Sequence, residues 1–136
     1  MAVSSYNKYL RQLLGKFECI LAFDTAADYL GLTNGGQRAV AQIYVKKKQD
    51  VEETEQTVLQ SFDQIEYEMC CGLLCTTVNQ TIMDLLEQNG DEQIIVESLA
   101  NYYEEHGNTF KGLQIPEHLK ERFDKYSGWA KEYYEE

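Results

Sequence analysis

The stretch FDTAADYLGLTNGGQRAVAQIYVKKK, residues 23–48, decides how the fold is read. Asp24 is a good cap for a short helix over 25–30, and Gly31 is a natural stop. Thr33 and Asn34 then lead through Gly35–Gly36 into a second helix of about 36–48. Its apolar positions are Ala39, Val40, Ile43 and Tyr44. On this reading the chain is helical from its first third, and the flanking segments are read to match.

Upstream, Tyr6, Tyr9, Leu10, Leu13, Leu14, Phe17, Ile20 and Leu21 recur at three- and four-residue spacing, which predicts one helix over about 5–22. Downstream, Val58, Phe62, Ile65 and Met69 share one helical face, and Leu74, Val78, Ile82 and Leu85 share another. The spacing predicts a long helical stretch at about 50–88 whose buried side changes near Gly72. The run MCCGLLC, 69–75, reads as its all-round buried centre. Asn89–Gly90 stops that stretch and Asp91 caps a helix of about 91–106. Gly107–Asn108 ends that helix, and Pro116 opens the last one, about 116–134. In this last helix Leu119, Phe123 and Tyr126 are the core positions, with Trp129 or Tyr133 beside them. The expected fold is all-α: a single domain over 1–136, a bundle of five or six helices with 50–88 as its spine.

Composition narrows the function classes. Hydrophobic residues make up 43% of the 136, too many for a disordered acidic chain, so a packed core is expected. MCCGLLC is far shorter than the roughly 20 apolar residues a bilayer needs, so no membrane span is expected. Cys19, Cys70, Cys71 and Cys75 lack the spacing of a disulfide scaffold. They read as buried, unpaired thiols in a reducing cytoplasm.

No phosphate-cradling loop, nucleophile elbow or paired-histidine metal motif occurs, and the two histidines are His106 and His118. Cys71 and Cys75 would stack on one helical face, but recurrent zinc sites use turn-supported pairs. The sequence therefore predicts no enzyme activity, no metal and no cofactor.

Charge is divided along the chain. Residues 1–49 hold seven Lys/Arg against three Asp/Glu, and 50–136 hold five against twenty. The basic third coincides with the opening stretch. There Ala26, Ala27, Leu30, Gly31, Leu32 and Thr33 in TAADYLGLTNGGQRAV resemble the helix-turn-helix of excisionase-like and MerR-like DNA binders. The resemblance covers about 20 residues. It departs from the family pattern at Gln37, where a β-branched packing residue is usual, and at Gly35–Gly36, where the second helix should begin. It implies DNA contact by Thr33, Asn34, Gln37 and Arg38, with Lys46, Lys47 and Lys48 on phosphate. The competing reading rests on the acidic, tyrosine-rich remainder. Glu104, Glu105, Glu132, Tyr133, Tyr134, Glu135 and Glu136 would form a surface for a protein partner, with self-association as one form of it. The preferred expectation is this second one: a regulatory or inhibitory protein–protein interaction, with the small DNA-binding regulator as the alternative.

Overall fold

The computed structural model describes residues 5–33 and 40–133, and it is not all-α. Five strands form one mixed sheet alongside the helices. In chain order the elements are α1 (Ser5–Leu14), β1 (Cys19–Leu21), α2 (Phe23–Tyr29), β2 (Ala41–Val45), β3 (Thr54–Val58), β4 (Tyr67–Cys70), β5 (Leu73–Thr76), α3 (Val78–Gln88), α4 (Glu92–Glu105) and α5 (Lys120–Glu132). Short 3-10 turns occupy Phe62–Gln64 and Glu117–Leu119. The sheet order is β3-β2-β1-β5-β4. β1 runs antiparallel to β2 and parallel to β5, β3 is parallel to β2, and β4 is antiparallel to β5.

The first correction falls on the deciding stretch. The expected second helix of 36–48 is β-strand over Ala41–Val45. All five residues of AQIYV are buried, as suits a strand second from the edge with both faces covered. Ala41, Ile43 and Val45 pack with Leu10, Leu14 and Tyr29 of α1 and α2. Tyr44 faces the other way, against Ile20 and Phe62. Ile43 and Tyr44 fit either a helical or a strand pattern, and β-branched and aromatic side chains favour the strand.

The second correction removes the spine. Only Val78–Gln88 of the expected 50–88 stretch is α-helix. The segment read as its centre is a hairpin, with Cys71 at φ 47° and Gly72 at φ 92° forming the tight turn between β4 and β5. Two successive positive φ values match the right-handed twist of the strands, and glycine takes the second without steric cost. The Tyr29 hydroxyl donates to the carbonyls of Cys70 (2.9 Å) and Cys71 (2.7 Å), and Arg11 Nη1 donates to Cys71 (3.2 Å). The thiols follow. Cys19 and Cys75 are buried, Cys70 is half-buried, and Cys71 is exposed on the turn rather than buried in a helix.

The expected first helix of 5–22 is also divided. It ends at Leu14, and Cys19–Leu21 is strand β1. The bundle idea survives only in the second half of the chain. There α3, α4, α5 and the 3-10 turn before α5 bury Ile82, Leu85, Leu86, Ile95, Leu99, Leu119 and Tyr126 in one cluster. Thr77 and Asp91 cap α3 and α4 by accepting from Gln80 N and Gln93 N, and Asn89 ends α3 at φ 52°. In α5 Phe123 is half-buried, while Trp129 and Tyr133 are exposed.

Short helix α2 joins the two halves. Ala26 and Tyr29 belong to the sheet cluster and Ala27 to the helical one. Leu32 N donates to Ala27 O (2.8 Å) and Gly31 N to Asp28 O (3.1 Å), with Gly31 at φ 78°. This pair of bonds is the helix-ending motif that glycine makes cheap.

Candidate binding surface

Of the residues implied in DNA contact, Asn34, Gln37 and Arg38 lie outside the described residues. Thr33 is half-buried, and its hydroxyl donates back to Asp28 Oδ1 (3.3 Å). Lys46–Lys48 are exposed and directly follow strand β2 rather than ending a helix. Lys46 Nζ lies 3.6 Å from Glu18 and 5.0 Å from the ring centre of Phe62. The same connection carries exposed Asp50, Glu52 and Glu53. The lysines thus stand among carboxylates, which lowers the potential a phosphate backbone would meet.

Of the expected acidic partner surface, Tyr134, Glu135 and Glu136 lie outside the described residues. The rest does not form one patch. The Tyr126 hydroxyl of α5 donates to Asn89 Oδ1 (3.0 Å) at the end of α3, and Lys125 pairs with Glu92 (3.9 Å) at the start of α4. Glu104 and Glu105 stand at the other end of α4, roughly 18 Å away at 1.5 Å per residue. Glu132 and Tyr133 lie beyond Tyr126, at the end of α5. Around the exposed indole of Trp129 the charges are mixed. Lys125 Nζ sits 5.3 Å from its ring centre, and Arg122, Glu121 and Glu132 also lie on α5 near it in sequence. This face has the aromatic character of a contact surface without an acidic bias.

An acidic feature with exposed apolar side chains is strand β4, which the helical expectation places inside a helix. No Lys or Arg stands between Lys48 and Lys111, and Asp63, Glu66 and Glu68 fall within that interval. All three are exposed, as are Tyr67 and Met69 between and beside them. Met69 is 65% exposed, a high value for its type. β4 is also an edge strand. Its pairing register and the bond from Thr77 N to Glu66 O (3.2 Å) place Glu66, Glu68 and Cys70 in the bonded positions toward β5. The backbone groups of Tyr67 and Met69 therefore point away from the sheet. Because strand side chains alternate, Glu66 and Glu68 lie on one face and Tyr67 and Met69 on the other.

Helix α3 holds the start of this edge. Gln80 Oε1 accepts from Glu66 N (3.0 Å), and Gln80 Nε2 donates to Asp84 Oδ1 (2.9 Å). Asp84 also accepts from the Tyr44 hydroxyl (2.9 Å), so a buried polar chain ties β2 and α3 to the root of β4. Burial raises the pKa of Asp84 above 3.8 despite the bonds from Gln80 and Tyr44, and burial raises Tyr44 as well. Beside this root, Glu66, Met83, Leu113, Ile115, Pro116 and Lys120 line an open cleft of about 640 Å³.

The missed signal was present in the residues. EYEM alternates charge with larger side chains at period two, and a residue–glycine pair at 71–72 separates two apolar runs. Compared with known proteins, the chain matches no family model, no curated protein and no solved structure. Among the described residues no group of three or more His, Cys, Asp or Glu is placed to hold a metal ion, and no helix is long and apolar enough to cross a membrane.

Proposed function

We propose that this chain is a non-catalytic cytoplasmic protein that works by binding a protein partner, and that it engages a basic segment of that partner at the β4 edge. The carrying observation is the exposed strand itself. Tyr67 and Met69 offer contact area, Glu66 and Glu68 offer charge, and no lysine or arginine of the neighbouring sequence competes for them. Aromatic residues and methionine are enriched at interfaces, and charge sets partner choice and encounter rate more than affinity.

The test is a titration with a capped (Lys-Val)4 peptide, followed by fluorescence anisotropy across a salt series. Binding should weaken as salt rises, because exposed charges are screened over about 8–10 Å at physiological ionic strength. Glu66→Lys with Glu68→Lys should weaken it at least roughly tenfold, the equivalent of about 1.4 kcal/mol. Glu104→Lys with Glu105→Lys should change it little. Absence of binding at roughly 50 mM salt would remove the proposal, and retention of mixed-sequence duplex DNA under the same conditions would favour phosphate contact instead.

A further inference from the structure

We infer that the β4 edge takes its partner as an added strand, with a side chain of that partner seated in the neighbouring cleft. This inference rests on the basic-partner reading and specifies its geometry. The occupant is an extended segment of another protein, with Lys or Arg on one face and apolar residues on the other.

Three observations lead there. First, the outward backbone groups of Tyr67 and Met69 are a free template for main-chain pairing. Second, the two faces of the template differ. An added strand in register would set one row of side chains beside Glu66 and Glu68 and the alternate row beside Tyr67 and Met69. Basic residues suit the first row and apolar residues the second. Third, the edge leads somewhere. Glu66 both precedes β4 and lines the cleft together with Met83, Leu113, Ile115 and Pro116. A segment continuing past Tyr67 in that direction meets a lining that mixes apolar Met83, Leu113 and Ile115 with one charge of each sign, Glu66 and Lys120.

The same geometry argues against a second copy of this chain as occupant. The antiparallel register that engages both Tyr67 and Met69 with their counterparts sets Glu68 directly against Glu68. Like charges placed opposite each other across strands are destabilising. Both copies would also carry a net charge of −11.

The test uses the full chain and the capped (Lys-Val)4 peptide. Met69→Pro deletes one outward N–H, and an edge position facing away from the sheet is one where proline is tolerated. Met69→Ala shortens the side chain and keeps the N–H. Met69→Pro should weaken peptide binding more than roughly tenfold, and Met69→Ala by less than roughly threefold. In the unaltered protein, amide exchange at Tyr67 and Met69 should slow when peptide is added, a readout independent of how the proline variant folds. Binding retained within about twofold by Met69→Pro, or unchanged exchange at both amides under saturating peptide, overturns strand addition and leaves the basic-partner reading standing. No binding of the peptide to the unaltered protein at roughly 50 mM salt overturns both.

Discussion

The two edges of the sheet are finished in different ways. β3 closes itself. Gln56 accepts from Gln49 N (2.8 Å) and donates to Gln49 O (3.0 Å) and Thr54 Oγ1 (2.8 Å), and Thr54 donates to Val51 O (2.9 Å). Tyr9 of α1 donates to Glu53 just before the strand. These bonds join neighbours in sequence or reach the first helix, and they occupy polar groups along that margin. β4 is braced from behind instead. Gln80 holds its root, and Tyr29 and Arg11 hold the turn at its tip. Among the described residues no strand pairs with its outer side, which is flanked by carboxylates. Edges are a hazard for indiscriminate pairing, and charge is one of the ways proteins manage them. One margin of this sheet is tied by its side chains to the loop before it and to α1, and the other is braced from behind and flanked by carboxylates.

The difference can be broken most severely with proline. Bonds from Ala41 N to Glu53 O and from Leu59 N to Val45 O fix the β3 register so that Thr57 N–H points inward to β2. Thr57→Pro should destabilise the fold by about 3 kcal/mol, whereas Met69→Pro should cost less than ~1 kcal/mol in urea unfolding. Equal losses would mean that β4 is not open.

Next in size is the brace. Gln80→Ala leaves the Glu66 N–H and one Asp84 oxygen without their partners, and a loss of roughly 1–3 kcal/mol is expected. Amide exchange at Glu66 should quicken, while that at Gln49 stays as it was. If both change together, the two margins are coupled rather than separately built.

A smaller effect concerns pH. Because burial raises Asp84 above its ordinary 3.8, the folded state holds that proton more tightly than the unfolded chain does. This group's contribution is most favourable below about pH 4 and is lost as pH rises through the raised value, with a slope of at most ~1.4 kcal/mol per pH unit. The stability difference between the unaltered protein and Asp84→Asn, measured by urea unfolding at several pH values, should follow that slope. A difference that does not vary with pH would show that Asp84 is not penalised by burial. The mildest change is Gln56→Ala. Its bonds lie partly in reach of water, so about 0.5–1 kcal/mol is expected by the same measurement.

How much of this was legible depended on the kind of signal. The chain from Asn89 onward was read well because caps and stops are chemical. Asn89 and Asp91 act in the structure through a backbone angle and a bond those residue types favour, whereas the Thr77 cap was hidden inside the expected long helix. The first half failed because apolar spacing over four or five residues fits two periods. Ile43 and Tyr44 could line a helix; a sheet partner on each side makes them strand. That information is long-range, and nothing within 36–48 contains it. The hairpin was more accessible. Gly72 was noticed as the place where the apolar face changes side, and a turn explains the change with less structure than a sandwiched helix does. The candidate surface was missed with it, because alternation along EYEM has meaning only once the segment is a strand.

Helix α2 is only seven residues long, yet adjacent alanines give it two allegiances, Ala26 to the sheet and Ala27 to the helical cluster. It is a party wall. Neither neighbour can be remodelled without the other being disturbed, because a larger side chain at either position pushes the helix into the opposite room. Unfolding should accordingly proceed as one event, with no stage at which the α3–α5 cluster stands while the sheet is lost. A blow at the hairpin tip, where Tyr29 of the same helix is moored, would be heard on the far side of the house.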